Sequence, residues 1–140
     1  MIIPPEIPVY GDMKYRNPKC PRESVEQITL INKIRAKYPE TYGRVLVHVK
    51  NEAKLINGQF AAINKDRAMG MAKGASDIII PSRISFVCEM KRQDSSLCVI
   101  DDEQISYLLA AQECGAFACV ALGYMAAMEA FNEWLKINVK

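Results

Sequence analysis

Two short apolar segments that lie close together in the chain constrain the fold more than any other feature. Ile78–Ile80 ends at Pro81, and a second β-rich segment runs from Phe86 to Met90 after a short connection. Segments of this length, separated by a turn signal, predict two adjacent strands of a hairpin. Because side chains alternate along a strand, Glu89 and Lys91 project together from one face of an otherwise apolar sheet.

An aspartate stands directly before the first of these strands. Burying the charges of Asp77 and Glu89 is costly unless they have a partner, and a divalent cation held between them would offset that cost. Lys91 would then lie near a scissile phosphate or its attacking water. The pattern favours a metal-dependent phosphodiesterase. The alternative is a surface ion pair between Glu89 and Lys91, worth about 0–1 kcal/mol.

The charge of the chain is unevenly distributed. The net charge is only +2. Residues 1–92 nevertheless contain 16 Lys or Arg against 9 Asp or Glu, a net of +7, whereas residues 93–140 contain 2 against 7, a net of −5. A basic half that contains the candidate site fits a polyanionic substrate. Positive charge of this kind also occurs on ordinary solvated helix faces.

The length of 140 residues and the apolar fraction of 50% predict a single globular domain. Five prolines within the first 22 residues exclude a helix there, so we expect an extended N-terminal arm over residues 1–22 and one domain over residues 23–140. The sequence shows neither a bilayer-spanning stretch nor a secretory signal, which favours a cytoplasmic location inside a bacterial host cell. Five cysteines without CxxC spacing disfavour a disulfide framework and a zinc site.

The remaining pattern predicts an α/β domain with a mixed sheet flanked by helices. We expect a helix from Ser24 to Pro39, a strand over Arg44–Lys50 covered on both faces, and a helix over residues 59–69. After the hairpin, Asp101 or Asp102 opens a further helix that ends at Gly115. A strand over residues 116–122 and a last helix with an apolar stripe complete the domain; the stripe contains Met128, Phe131 and Trp134.

The sequence around these residues resembles the VRR-NUC family of the PD-(D/E)xK nuclease superfamily over residues 23–135. The chain resembles a stand-alone, phage-type member of that family. The resemblance rests on five pieces in order. They are Glu26-Gln27 on the first helix, Asn51-Glu52 after the first strand, the glycine-framed approach to Asp77, Glu89-Met-Lys91, and Gln104 at the start of a later helix. Ser76 stands where the family often has proline, and the connection from Gln93 to Asp102 does not align. The resemblance implies a restriction-endonuclease-like core.

The resemblance also implies roles for individual residues. Asp77 and Glu89 would bind Mg²⁺ or Mn²⁺ together with the carbonyl oxygen of Met90, and Lys91 would position or polarise the water. Gln104 would hydrogen-bond near Lys91. Glu26 would reach the metal through water or complete a second site, although Glu23 lies on nearly the same helical face.

The function implied is that of an endodeoxyribonuclease selective for branched DNA, similar to a Holliday-junction resolvase. We expect four cations around the site to contact DNA: Lys65, Arg67, Lys73 and Arg92. A sequence-specific restriction-type nuclease and a non-catalytic DNA-binding or assembly protein are the alternatives. We expect a structural or substrate-contacting role for the single histidine, His48.

Paired cleavage of a four-way junction favours a homodimer, because a two-fold dimer presents one site to each symmetry-related strand. The proline-rich arm and the apolar stripe of the last helix are the candidate interfaces.

Overall fold

The computed structural model describes residues 1–49, 60–70 and 72–139. The strands are β1 (Val9–Tyr10), β2 (Val47–His48), β3 (Ile78–Ile80), β4 (Phe86–Lys91) and β5 (Phe117–Leu122). The α-helices are α1 (Glu23–Lys37), α2 (Tyr42–Val45), α3 (Phe60–Ala68), α4 (Asp102–Glu113) and α5 (Tyr124–Asn138). Among the described residues, no helix is both long and apolar enough to cross a membrane.

The strands form one mixed sheet in the order β1-β5-β4-β3-β2. The predicted hairpin is confirmed, because β3 and β4 pair antiparallel with Ile78 opposite Cys88. On its other side β4 pairs with β5 in parallel. The strand that carries Glu89 and Lys91 is therefore the centre of the sheet, and all six of its residues are buried.

Helices cover both faces of the sheet, as the apolar pattern predicts. One face packs against α1 and α5 around a core that includes Leu30, Phe86, Met90, Phe131 and Trp134. The other face packs against α4, with Val87, Leu108 and Val120 in contact. Alternation along β4 thus turns Phe86 and Met90 toward one layer and Val87 toward the other.

The predicted strand over Arg44–Lys50 is wrong for most of its length. Residues Tyr42–Val45 form the short helix α2, and only Val47–His48 pair with β3 at the edge of the sheet, where both side chains are exposed. The Tyr42 ring packs edge-on against Trp134 with 5.0 Å between ring centroids. This aromatic contact holds the chain in a turn where the valine-rich sequence favours extension. Lys50 lies outside the described residues.

The N-terminal arm packs on the domain. Val9 and Tyr10 form the edge strand β1, paired in parallel with β5, and Ile7 is buried. Residues 12–22, which we call the strap, then run back across the loop that follows β4. This loop contains Asp94, which is buried and accepts a hydrogen bond from the Asn17 amide at 2.8 Å. The arm is a fixed part of the domain surface.

The strap depends on the Asp94 carboxylate, which also accepts from the amide and hydroxyl of Ser96. We expect Asp94→Ala to release the strap, because the Asn17 amide loses its partner and Arg16 loses a counter-ion at 3.7 Å. Tryptic cleavage after Lys14 should become faster than in the wild type. The control is Glu129→Ala on the exposed face of α5, which should leave the cleavage rate unchanged.

Acidification should have the same effect as Asp94→Ala. The hydroxyl of Ser96 is the main cause that lowers the pKa of Asp94 below its ordinary value of 3.8. A lowered pKa in the folded state gives stabilisation that is present above the unfolded pKa and is lost as the pH falls through the folded one. Equal cleavage of wild type and Asp94→Ala at neutral pH would contradict this account of the strap.

The apolar stripe of α5 belongs to the core. Phe131 and Trp134 are fully buried, and the Trp134 indole N–H donates to the Ile84 carbonyl at 2.6 Å. Within the described structure, this stripe and the packed arm are both used inside one chain. Phe131 and Trp134 are therefore unavailable to a partner, and a dimer interface at the arm or at the rest of the stripe stays a prediction.

Candidate metal centre

Three carboxylates converge at the edge of the sheet where β3 begins and β4 ends. Oxygen atoms of Glu23, Asp77 and Glu89 all lie within 4.8 Å of one another. Glu23 is the first residue of α1, Asp77 immediately precedes β3, and Glu89 lies in β4. The antiparallel hairpin explains the approach of the last two, because the start of β3 lies beside the end of β4. The predicted pairing of Asp77 with Glu89 is present in the structure.

The Glu89 carboxylate is only 1% exposed and is held from one side. Its Oε1 atom accepts a hydrogen bond from Gln104 Nε2 at 3.1 Å and lies 3.6 Å from Lys91 Nζ. Its Oε2 atom is buried and has no hydrogen-bond donor among the described residues. A buried carboxylate oxygen without a donor is costly, so this atom calls for a partner outside the protein.

Burial and mutual repulsion make the carboxylates hard to ionise. Burial, followed by repulsion from Asp77, raises the pKa of Glu89 from 4.5 to about 9, against the opposing effect of Lys91. Burial also raises the pKa of Asp77, although hydrogen bonds, including one from the Met90 amide at 2.9 Å, oppose the shift. A protonated Glu89 can donate to Asp77, which lowers the pKa of Asp77, but two ionised carboxylates are acceptors only and repel each other. A cation between them removes both costs.

The donor set suits a hard divalent ion. Carboxylate and carbonyl oxygens are the ligands that Mg²⁺ and Mn²⁺ prefer. The Met90 carbonyl is a further candidate: its amide donates to Asp77 Oδ2, and the N–H and C=O of one strand residue point to the same side. The residues present therefore fit the metal that the sequence predicts.

Lys91 and Gln104 form the other side of the site. Lys91 is 4% exposed, so its ammonium group is enclosed beside Glu89. Gln104 has two tasks: Nε2 holds Glu89, and Oε1 accepts from the Asp101 amide in a capping box that starts α4. Gln104, which was predicted to hydrogen-bond near Lys91, donates to the Glu89 oxygen that lies 3.6 Å from Lys91 Nζ, and the capping box fixes the amide in this orientation.

The Glu26 side chain contacts the start of α5. Its buried carboxylate accepts from the Tyr124 amide at 2.9 Å and from the Gln93 side chain at 3.4 Å. It thereby caps the N-terminus of α5, which begins after Gly123 and has no side-chain cap of its own. Among the described residues, the acid that α1 brings to Asp77 and Glu89 is Glu23. Glu23 is therefore a candidate ligand that the sequence did not single out, and the metal role of Glu26, through water or at a second site, stays a prediction.

The different surroundings of Glu26 and Glu23 predict different effects when each is replaced by alanine. Glu26→Ala leaves the Tyr124 amide without a partner at a buried helix start, so it should lower the free energy of unfolding by about 1–3 kcal/mol. Glu23→Ala removes a half-buried charge that repels Glu89, so stability in the absence of metal should change by less than about 0.5 kcal/mol while Mn²⁺ affinity falls. Urea unfolding and calorimetric Mn²⁺ titration of both variants measure the two effects. If Glu26→Ala lost metal affinity at unchanged stability, the assignment would be reversed.

The loop before Asp77 is fixed by close approach to α4. Gly74 has φ +72°, and a Cβ at this position would collide with the backbone of Glu103. Only glycine combines this conformation with this proximity. The loop therefore brings Asp77 beside the first turn of α4, whose Gln104 contacts Glu89. Three helices, α1, α4 and α5, begin at this edge, and their N-terminal dipole ends favour anions.

The four cations predicted to contact DNA have different surroundings. Lys65 and Arg67 are exposed on α3, and Lys73 forms an ion pair with Glu103 at 3.0 Å in which both side chains are about half exposed. Arg92 has another task, because its guanidinium donates to the carbonyls of Cys20 and Pro21. It fastens the strap, and any contact of these four residues with DNA stays a prediction.

His48, for which the sequence predicts a structural or substrate-contacting role, lies beside Asp77. It follows Val47 in β2, and its Nδ1 atom lies 2.9 Å from the Asp77 carbonyl and 2.7 Å from the Gln27 side chain. It thus supports the backbone of Asp77. In the sequence, His48 lies three residues before Asn51-Glu52, the second motif of the resemblance to the VRR-NUC family. Asn51-Glu52 itself lies outside the described residues.

Comparison with known proteins identifies the fold. The sequence matches no family profile and no curated protein. A solved structure described as a VRR_NUC domain protein superposes with a TM-score of 0.69 at 17% sequence identity, over 86% of this chain and 93% of that one. This likeness confirms the predicted VRR-NUC fold, with a mixed five-stranded sheet between helices.

Proposed function

We propose that this chain, which has the VRR-NUC fold, is a divalent-metal-dependent endodeoxyribonuclease that hydrolyses phosphodiester bonds in branched DNA. One observation carries the proposal. The Glu89 carboxylate is buried beside Glu23, Asp77 and Lys91, with one oxygen that has no donor among the described residues. A protein that only kept the fold for binding would have no need to maintain such a costly group.

The residues divide the chemical work between them. Glu23, Asp77 and Glu89 would hold Mg²⁺ or Mn²⁺, with the Met90 carbonyl as a further ligand. The bound ion would polarise the phosphodiester and lower the pKa of a bound water. Lys91, enclosed within 3.6 Å of Glu89, would orient the attacking water and balance negative charge at the phosphate. Gln104 would keep Glu89 in one rotamer, so that its free oxygen stays directed toward the metal.

DNA is the substrate that the charge pattern favours. Lys65, Arg67 and Lys73 lie on the segment that leads to Asp77, and the half of the chain up to residue 92 carries a net charge of +7 from 16 Lys or Arg against 9 Asp or Glu. The surface pair of Lys73 with Glu103 is worth at most about 1 kcal/mol, so a phosphate can replace Glu103 at little cost. The preference for branched DNA is the one that the resemblance of the sequence to the VRR-NUC family implies.

Cleavage of a matched set of substrates tests this proposal. The purified chain is incubated with Mg²⁺, Mn²⁺ or EDTA and with single-stranded, duplex, nicked and four-way-junction DNA that share one sequence. We expect cleavage that requires the metal and is fastest on the junction. Cleavage at one duplex sequence would indicate a restriction-type nuclease, and binding without cleavage under every metal would refute catalysis.

We also propose that the chain acts as a homodimer, because a four-way junction presents two symmetry-related strands to cut. The interface is unassigned, since the arm and the α5 stripe pack within the chain. Light scattering at micromolar concentration decides the oligomeric state. A mass near 15.7 kDa without DNA, together with one protein chain per junction in the complex, would refute the dimer.

A further inference from the structure

The strap, residues 12–22, has a backbone that is fixed by the loop following the candidate metal centre. Arg92, the residue after Lys91, donates to the carbonyls of Cys20 at 2.6 Å and Pro21 at 3.1 Å. The Ser95 hydroxyl donates to the Met13 carbonyl at 3.0 Å. These bonds hold the strap at both ends.

The anchoring groups are buried. Asp94 is 2% exposed and Ser95 is 5% exposed, and the strap residue Cys20 is 5% exposed. Buried polar groups of this kind require satisfied hydrogen bonds, and the strap backbone supplies them. The strap backbone is therefore ordered before any partner binds, so that it loses less conformational freedom on binding.

The outer side of the strap is basic. Lys14, Lys19 and Arg22 are exposed and form no ion pair within the described residues. The strap's one acid, Asp12, accepts a hydrogen bond from the Lys14 amide, and Arg16 is turned inward toward Asp94. Exposed cations on an anchored backbone, with no acidic partner among the described residues, attract a polyanion.

The strap leads directly into the metal centre. Arg22 is the N-cap residue of α1, and the next residue, Glu23, is one of the three converging acids. Consecutive Cα atoms are about 3.8 Å apart, and eight residues of extended chain span at most about 28 Å, so Lys14, Lys19 and Arg22 lie along a path that starts at the site. Two turns in the strap, closed by the Tyr15 amide on the Asp12 carbonyl and by the Cys20 amide on the Asn17 carbonyl, make the actual span shorter than this limit, so a few neighbouring phosphates of one strand could meet the three cations.

From this geometry we propose that Lys14, Lys19 and Arg22 form a phosphate-binding ridge that holds the DNA backbone on one flank of the metal centre. The inference rests on the proposed function, which supplies DNA as the polyanion. It also gives Arg92 a positioning role: Arg92 holds the ridge in place and does not itself need to reach the DNA.

The test compares two triple variants that remove the same charge. The strap variant is Lys14→Gln, Lys19→Gln and Arg22→Gln. The control is Arg35→Gln, Lys37→Gln and Lys136→Gln, whose exposed cations lie in the last turns of α1 and α5. With a rise of 1.5 Å per residue, Lys37 lies about 21 Å along α1 from Glu23. Binding of fluorescent junction DNA is measured in EDTA from 50 to 300 mM salt, so that cleavage does not interfere.

Each phosphate contact that is lost lowers the slope of log K against log salt concentration by about 0.9. The strap variant should therefore lose about 2 to 3 from the slope and bind about a hundredfold more weakly at 100 mM salt. The control should keep the wild-type slope. A charge-preserving variant, Lys14→Arg, Lys19→Arg and Arg22→Lys, should bind as the wild type does, which separates loss of charge from loss of folding.

Equal slopes for the strap variant, the control and the wild type would refute the ridge. If the wild type bound and cleaved DNA in that case, the proposed function would stand and only the ridge would fall. If the wild type neither bound nor cleaved any substrate, the proposed function would fall, and with it the choice of DNA as the partner of the strap.

Discussion

Asp77→Asn and Glu89→Gln should each reduce metal-dependent cleavage by at least about a thousandfold. Each substitution removes a charged oxygen ligand from an ion that supplies several kcal/mol of transition-state stabilisation, and 1.36 kcal/mol corresponds to a factor of ten. Both variants should still bind DNA, because phosphate contacts elsewhere supply most of the affinity. Single-turnover cleavage and binding in EDTA, measured on the same preparations, separate the two effects.

The same variants should show that the acid pair costs stability when no metal is bound. Burial raises the pKa of Glu89 to about 9, so its protonated form is the one that suits the folded state. The stability that depends on this proton is complete below the unfolded pKa near 4.5 and is lost as the pH rises through about 9. We expect metal-free Glu89→Gln to unfold at a higher temperature than metal-free wild type at pH 9, with a smaller difference at pH 5.

Manganese should reverse this order. The wild type gains stability from an ion that binds the folded state, whereas Glu89→Gln gains little. Thermal unfolding with and without Mn²⁺ at pH 8 measures the gain. Equal Mn²⁺ stabilisation of both proteins would show that Glu89 is not a ligand.

Lys91→Met should reduce turnover by about a hundredfold to ten-thousandfold, the range of a positioned group that acts on the transferred proton or the reacting water. Methionine has a similar length and occupies the same enclosed space, so folding should be preserved. Because Lys91 is not a metal ligand in this account, Mn²⁺ should still stabilise the variant. The control is Lys136→Met, at the far end of α5, which should cleave at the wild-type rate.

The decisive result for Lys91 is the separation of metal binding from turnover. Loss of both would mean that the ammonium group mainly offsets the charge of Asp77 and Glu89. Full activity of Lys91→Met would mean that Lys91 is only a structural ion-pair partner of Glu89. That is the alternative given in the sequence analysis, with the pair buried and not on the surface.

The sequence predicts the centre of the fold from two local patterns: the alternation of side chains along β4 and the capping box at the start of α4. The period-two alternation of β4 fixes which side of the sheet carries Glu89 and Lys91, and the strand is central and buried. The capping box at Asp101 and Gln104 is likewise a local motif, and it places Gln104 within reach of Glu89. The sequence predicts the side of β4 and the start of α4 because each depends on neighbouring residues alone, whereas the functional roles of these residues stay predictions.

The sequence could not predict the surroundings of residues that contact distant partners. Glu23 and Glu26 lie three residues apart on nearly one side of α1, and only the position of the α5 N-terminus decides which carboxylate is used as a cap. The sequence does not show that the Arg92 guanidinium donates to the carbonyl of Cys20 in the strap, 72 residues away. A two-residue edge strand such as β1 has no periodic signal, and its pairing with β5 comes from sheet geometry.

The most direct test of the central claim is cleavage of four-way-junction DNA by wild type and Asp77→Asn proteins purified in parallel. Each is assayed in Mg²⁺, in Mn²⁺ and in EDTA. The account predicts strand cleavage by the wild type with either metal, none in EDTA, and none above background by Asp77→Asn under any condition. Equal metal-dependent cleavage by the two proteins would contradict it, because the activity would then come from a contaminant or from a site that does not use the Glu23, Asp77 and Glu89 cluster.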